Sequence, residues 1–262
     1  MPNTFIEHRD RWMSLSEVDY LGQFVKAWLA FNAWYRSAYT EPRDRIIIEE
    51  FKWQPNPVAN KLRPLLSAIE SEESQQFRSD IGLLHHRLQN YEIHTGKGSE
   101  KERISLENIY LRNLPPCRKQ SESYGYKFVV ERVGTGHVTV NVTNRTGAIV
   151  LSVNQTKHSI IDLEADTGYA VLSTNQQGFL RALYREASPR QFANLTVGSD
   201  PAIKCGSFDF RCTAGALFAG TVEAVYMMRC TLFHGELMPT REANACYEPA
   251  YYLIRRFLHA IA

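Results

Sequence analysis

Hydrophobic positions recur along this chain with two different periods, and the change of period divides it. From Val18 to Tyr39, Leu21, Val25, Trp28, Leu29 and Tyr35 recur at helical spacing, which predicts an amphipathic helix with Asn32 set into its apolar stripe. A second helix is predicted to start at Pro42, a residue suited to a first helical turn. It runs through Ile46, Ile47 and Phe51 to Trp53, where Gln54-Pro55-Asn56-Pro57 breaks it. A further helical stretch covers Val58 to Gln89, kinked at Pro64, with a polar loop expected over Glu70 to Gln76. Around Lys97, Gly96, Gly98 and a charged run lead through a short helical piece, Ile104 to Leu111, to Pro115-Pro116, where a boundary is expected.

Between Tyr124 and about Ser173 the period switches to two. Val138, Val140 and Val142 alternate with His137, Thr139, Asn141 and Thr143, the pattern of a strand with one buried face. Flanking runs Tyr126 to Val133, Ile149 to Val153 and Ser159 to Leu163 are separated by Gly134-Thr135-Gly136 and Asn144-Arg145-Thr146-Gly147, so an antiparallel meander is expected. A helix over about Gln176 to Glu186 leads out of it. Helical periodicity then returns at Cys212, with Leu217, Phe218, Val222, Val225 and Tyr226 on one stripe of a helix reaching Phe233, and Gly235 placed to end it in a left-handed cap. The last helix is predicted to begin at Pro249 and to bury Leu253, Ile254, Phe257 and Ile261. The fold class expected is α+β: helices, a β-rich insert, helices.

With 262 residues, 44% of them hydrophobic, the chain can bury a large core, and disorder is excluded as a class. The net charge of +2 supplies no strong global field, so affinity for nucleic acid would have to come from a local cleft. The N-terminal stretch carries charges where a signal peptide needs an apolar run, and no window approaches the apolar length of a membrane span, so a cytoplasmic protein without membrane contact is expected. Cys117, Cys205, Cys212, Cys230 and Cys246 form an odd set without a C-x-x-C pair and read as free thiols. The sequons at Asn141, Asn144, Asn154 and Asn194 read as polar residues of strands and turns.

The chemically informative segment is Tyr226-Met227-Met228-Arg229-Cys230-Thr231-Leu232-Phe233-His234-Gly235. Five steps of a regular helix put Arg229 and His234 about 140° apart, so they converge only if the helix ends at the histidine, which Gly235 allows. The pair suits cleavage of an RNA phosphodiester. A histidine can move the proton of the 2′-hydroxyl, and a guanidinium offers a bidentate fork to the phosphate as it gains charge. No metal is needed in such a scheme. The competing reading is structural: an arginine and a histidine at a helix end also satisfy the last carbonyls and the helix dipole. Asn32 likewise reads either as a buried hydrogen-bonding residue or as a helper facing the cleft. Arg255 and Arg256 form a solvated face or line a path for RNA.

R-x4-H followed by glycine, at the end of the penultimate helix, resembles the motif of the HEPN ribonuclease superfamily. The run Trp28-Leu29-Ala30-Phe31-Asn32-Ala33-Trp34-Tyr35-Arg36 is similar to the first helix of its larger stand-alone members. The resemblance covers about half the chain. It implies an HEPN-like helical bundle built from residues 1–112 and 201–262, with residues 113–200 as an inserted antiparallel β-sheet subdomain. It further implies a homodimer whose two motifs line one cleft, metal-independent endonuclease activity on RNA with Arg229 and His234 catalytic, and a role in defence, stress or a toxin-antitoxin system. An antitoxin or regulatory protein would then be among its partners. The chain departs from the family at Cys230, where active members usually carry a polar residue, and at Glu236, where some toxin members carry a tyrosine that a partner nucleotidylates. A non-catalytic HEPN-like module that binds RNA or protein is the alternative.

Other clusters point nowhere in particular. His85-His86 and His94 lack the spaced carboxylates or thiolates of a metal site. Gly134-Thr135-Gly136 lacks the rest of a dinucleotide fingerprint, and Thr95-Gly96-Lys97-Gly98 lacks that of a P-loop, so neither a metal nor another cofactor is expected.

Overall fold

The computed structural model describes residues 4–67, 70–96, 101–134 and 136–262. It is a mixed helix and sheet protein whose contacts cluster into two units, residues 1–109 with 193–262, and residues 110–192.

The first unit is built on helices. After α1 (Thr4–Ser16), α2 (Tyr20–Ala38) is opened by Asp19, whose carboxylate accepts the Gly22 amide at 2.9 Å. Phe24, Trp28, Phe31 and Tyr35 recur at spacings of four and three and are all buried, so one stripe of α2 faces the core. α3 (Asp44–Trp53) follows, then α4 (Pro57–Leu62), a short 3-10 turn at Pro64–Leu66, and α5 (Glu72–Asn90). The polar loop expected over Glu70 to Gln76 is mostly helix. Ser71 caps α5 by accepting the Ser74 amide at 3.1 Å, and Glu72 and Glu73 stand in the first turn, where the helix dipole favours carboxylates. The helix expected over Ile104 to Leu111 is instead a loop with a turn at 106–108 that leads into a strand. Tertiary pairing overrides its periodicity: the Ile104 amide donates to the Ile93 carbonyl at 2.8 Å, and the Leu195 amide to the Leu106 carbonyl at 3.0 Å. Short strands β1 (His94–Thr95) and β2 (Glu102–Arg103) pair nearby, while Lys97 and Gly98 of the rejected P-loop lie outside the described residues.

The second unit carries the meander. β3 (Ile109–Asn113) pairs with β8 (Arg190–Ala193) where the chain enters and leaves, and between them β4 (Cys117–Ser123), β5 (Tyr126–Val133), β6 (His137–Asn144) and β7 (Ile149–Gln155) form one antiparallel sheet in sequence order. Register sets Phe128 opposite Val142 and Val130 opposite Val140, so the alternating valines bury one face. That face is covered by Leu163, Tyr169, Leu172, Leu180, Leu183 and Tyr184 from α6 (Ile160–Glu164), α7 (Thr167–Val171) and α8 (Thr174–Glu186). The strand expected over Ser159 to Leu163 is therefore helix α6, which Ser159 caps by accepting the Asp162 amide at 3.2 Å. Thr135, in the rejected dinucleotide turn, lies outside the described residues.

Back in the first unit, the hairpin of β9 (Ile203–Cys205) and β10 (Phe208–Phe210) precedes α9 (Ala214–Phe233) and α10 (Arg241–Ile261). α9 is long and apolar enough in composition to cross a bilayer, against the expectation that no window approaches that length. Most of it is buried, because it is apolar all round as the central helix of this unit. Phe31 of α2, Phe51 of α3, Phe218 of α9 and Phe257 of α10 meet in one aromatic cluster, with Phe31 and Phe51 ring centroids 5.3 Å apart. α10 does not begin at Pro249. Thr240 caps it well before, accepting the Ala243 amide at 3.1 Å, and Pro249 lies buried inside the helix, leaving the Ala245 carbonyl without its usual i+4 donor.

Candidate functional site

Arg229 and His234 both lie at the C-terminal end of α9, and the way that helix stops decides where they point. Gly235 has φ +67°, the left-handed region that glycine enters without a Cβ penalty. Its amide donates to the Leu232 carbonyl at 3.3 Å and the Glu236 amide donates to the Thr231 carbonyl at 2.9 Å, the paired bonds of a Schellman cap. His234 is the cap residue itself, at φ −89° and ψ 1°, so its side chain leaves the helical path there. It is exposed, and its ring makes no hydrogen bond among the described residues. The Cys230, Thr231 and Leu232 carbonyls are thus satisfied by backbone amides, so His234 is not needed to bond them. Glu236, just beyond, accepts the Gly96 amide at 3.2 Å.

Arg229 is largely withdrawn from water, with its side chain 19% exposed, yet poorly bonded. One terminal nitrogen reaches Asp44 Oδ2 at 3.4 Å, the other has only the Cys230 sulfur at 4.0 Å, and Nε is buried without a partner among the described residues. A guanidinium has five donors, and buried donors in native proteins are nearly always used. Two rings stand near it: the charge lies 4.7 Å from the Phe233 ring centroid and 5.9 Å from that of Trp28.

Asp44 is the first residue of α3, a position that suits a carboxylate. Its Oδ1 accepts from Arg36 of α2 while its Oδ2 faces Arg229. Tyr35 lies beside it. Burial pushes the Tyr35 phenol up to about 12; the Asn32 amide, which hydrogen-bonds its oxygen, works against this, and the Asp44 carboxylate adds to it. Asn32 is therefore part of the surroundings of Arg229, bonded one step removed from Asp44. Behind this group, α3 is pinned to α9 by a buried ion cluster: Glu223 takes Arg45 at 2.7 Å on one oxygen and Lys52 at 3.0 Å on the other, and Glu49 takes Arg45 and Lys52 at 2.6 and 3.0 Å.

The two arginines of α10 part company. Arg256 donates through Nε to Asp80 at 2.6 Å and ties α10 to α5 as a largely buried pair. Arg255 stays exposed, with loose contacts to Tyr251 at 3.5 Å and His259 at 3.3 Å. The cysteines are free thiols, and burial pushes Cys205 up to about 12 and Cys212 and Cys246 up to about 11. His85 is buried between Phe208 and Phe210. Sequence reasoning missed the placing of Asp44, Arg36 and the rings of Trp28 and Phe233 around Arg229. The i, i+4, i+7 spacing of Trp28, Asn32 and Tyr35 was the available signal for that face of α2; Asp44 offers none.

No family model, curated protein or solved structure matches the chain.

Proposed function

We propose that this protein is an RNA endonuclease of HEPN type, with its α-helical unit as the HEPN-like bundle and Arg229 and His234 as the catalytic pair. The observation that carries the reading is Arg229: a guanidinium mostly out of water with one long ion contact, a second terminal nitrogen that, among the described residues, has only the Cys230 sulfur, and its charge close to the Phe233 ring. Such a group is under-satisfied in the resting protein and gains an acceptor when a phosphate arrives. The exposed, uncommitted His234 stands five residues on, at the cap.

In this reaction the 2′-oxygen attacks phosphorus while a base takes its proton, the P–O5′ bond breaks, and the leaving oxygen receives a proton. The products are a 2′,3′-cyclic phosphate and a 5′-hydroxyl. Arg229 meets the charge that grows on the phosphate oxygens. One imidazole cannot be base and acid in the same step, so the reading calls for a homodimer that brings two copies of the motif to one scissile bond.

Purified protein is expected to cut single-stranded RNA in EDTA, to leave an all-DNA oligonucleotide whole, and to lose roughly 100- to 10,000-fold in rate on Arg229→Ala or His234→Ala. Equal cutting by wild type and the double variant identifies a contaminant. Protein that binds RNA as a dimer and never cuts it overturns the catalytic reading in favour of a binding module, with Cys230 beside Arg229 as the residue to exchange for asparagine first.

A further inference from the structure

We infer that Asp44 is a positioning residue for Arg229: tethered by Arg36 and flanked by Tyr35, its carboxylate fixes the direction of a guanidinium that, among the described residues, otherwise has only the rings of Phe233 and Trp28 and the Cys230 sulfur near it. The inference rests on the ribonuclease reading for its catalytic consequence, and on geometry alone for the positioning.

Ring contacts attract a guanidinium with little directional preference, whereas a carboxylate oxygen fixes the direction of one N–H, and a fork must hold one direction to meet a phosphate. Among the described residues the one oxygen partner of Arg229 is Asp44 Oδ2, at 3.4 Å. That carboxylate is itself held. Its other oxygen takes Arg36, whose remaining nitrogen donates to the Pro42 carbonyl at 2.6 Å, so the tether runs from α2 into the chain just before α3. α3 in turn cannot slide along α9, since the residue after Asp44 is Arg45, bound to the buried Glu223. Each of these contacts lies upstream of Arg229 and none touches His234.

The contact to Arg229 is long where the contact to Arg36 is short, so Asp44 steadies the guanidinium without using up its donors. A carboxylate clasping Arg229 in a bidentate pair would compete with substrate instead. The donor left for an incoming phosphate is the terminal nitrogen that, among the described residues, has only the Cys230 sulfur, at 4.0 Å.

The test is Asp44→Asn, which keeps shape and removes charge, with Arg36→Met as a second variant that leaves Asp44 in place and cuts its tether. On a defined oligoribonucleotide, Asp44→Asn is expected to lower kcat by roughly 10- to 100-fold, the size of effect a misplacement of about 1 Å produces, with KM changed by less than about 3-fold. Arg36→Met is expected to give a smaller loss of the same kind, about 3- to 10-fold. An independent readout needs no RNA: the Arg229 Nε–H resonance in a 15N spectrum, assigned by its absence in Arg229→Lys, is expected to be sharp and slowly exchanging in the wild type and broadened in both variants. Unchanged kcat, or tighter RNA binding with kcat retained in Asp44→Asn, overturns the inference and makes Asp44 a competitor of the phosphate. If the wild type never cuts RNA, the ribonuclease reading falls alone and the resonance decides: broadening upholds positioning, and an unchanged line rejects it.

Discussion

Glu223 and Arg229 sit on the same helix less than two turns apart, both largely out of water, and they are treated in opposite ways. Glu223, 1% exposed, has each oxygen matched to a cation at 2.7 and 3.0 Å. Arg229, 19% exposed, has, among the described residues, one oxygen contact at 3.4 Å and a buried Nε–H without a partner. A buried charge whose hydrogen bonds are complete holds helices in register, and removing its partner leaves an uncompensated ion. A charge left partly unsatisfied costs stability in the resting state and is available to a ligand. α9 thus carries a structural charge in its middle and a poised one near its end.

The contrast is sharpest under truncation. Glu223→Ala removes one of the two carboxylates that hold the fully buried Lys52 and one of the two that hold Arg45, leaving Glu49 alone to serve both. A loss of about 3 kcal/mol is therefore expected in a denaturant melt followed by circular dichroism. Arg229→Ala removes a long contact and two ring interactions and is expected to cost no more than about 1 to 2 kcal/mol. Its effect on RNA cutting should run the other way. If Arg229→Ala destabilised the chain as much as Glu223→Ala, the distinction between the two charges would collapse, and Arg229 would be a structural residue.

How much of this could be read beforehand depends on whether the cause is local. α2 and α9 were legible as helices from their apolar periodicity, but their buried faces were not: in α2 Leu29 of the expected stripe is exposed and Phe24 and Phe31 are buried instead, and α9 is buried nearly all round. β5 to β7 were legible because the valines alternate between plain turn residues. Pro249 misled because a first-turn proline looks the same in sequence as one tolerated inside a helix; the cap at Thr240 decides, and a threonine before Arg241-Glu242 is a weak signal by itself. Ile104 to Leu111 misled because its apolar residues are buried by chain segments far away in sequence. For the candidate site, Arg229 and His234 were legible as a spaced pair ahead of a glycine. Asp44 was not, since its meaning lies in α3 crossing α9, and Arg256 became structural only through Asp80 on α5.

A smaller effect concerns the cap that directs His234. Gly235→Ala places a Cβ in open space, with nothing within 4 Å, so its whole cost is the strain of φ +67°, about 1 kcal/mol. The melt should fall by that amount. Cutting should fall further than stability does, because relieving the strain turns the chain at the histidine. Gly235→Asn, which tolerates the left-handed region better, is expected to recover most of both; an alanine variant with full activity would show that the cap does not orient His234.

The smallest effect vanishes at neutral pH and tests the same principle with histidines. His85 is 1% exposed against Phe208 at 4.7 Å and Phe210 at 5.2 Å, with Nδ1 unpartnered among the described residues. Burial holds its pKa below the ordinary 6.5, with Glu107 working against this and His86 adding to it. His158, stacked 4.2 Å from Tyr184, is lowered by burial as well. Because the folded pKa lies below the unfolded one, the unfolded chain takes up protons first as pH falls. The stability these neutral rings contribute is therefore whole above pH 6.5 and is lost as pH falls from there through their folded values. The lowered carboxylates Glu41 and Glu242 act only below about 4.5, so the two windows separate. His85→Phe should flatten the fall in stability between pH 6.5 and 5, and His85→Phe with His158→Phe should flatten it further. An acid slope unchanged by both would mean that neither ring is held neutral by its surroundings, leaving Arg229 as the better example here of a buried group kept short of partners.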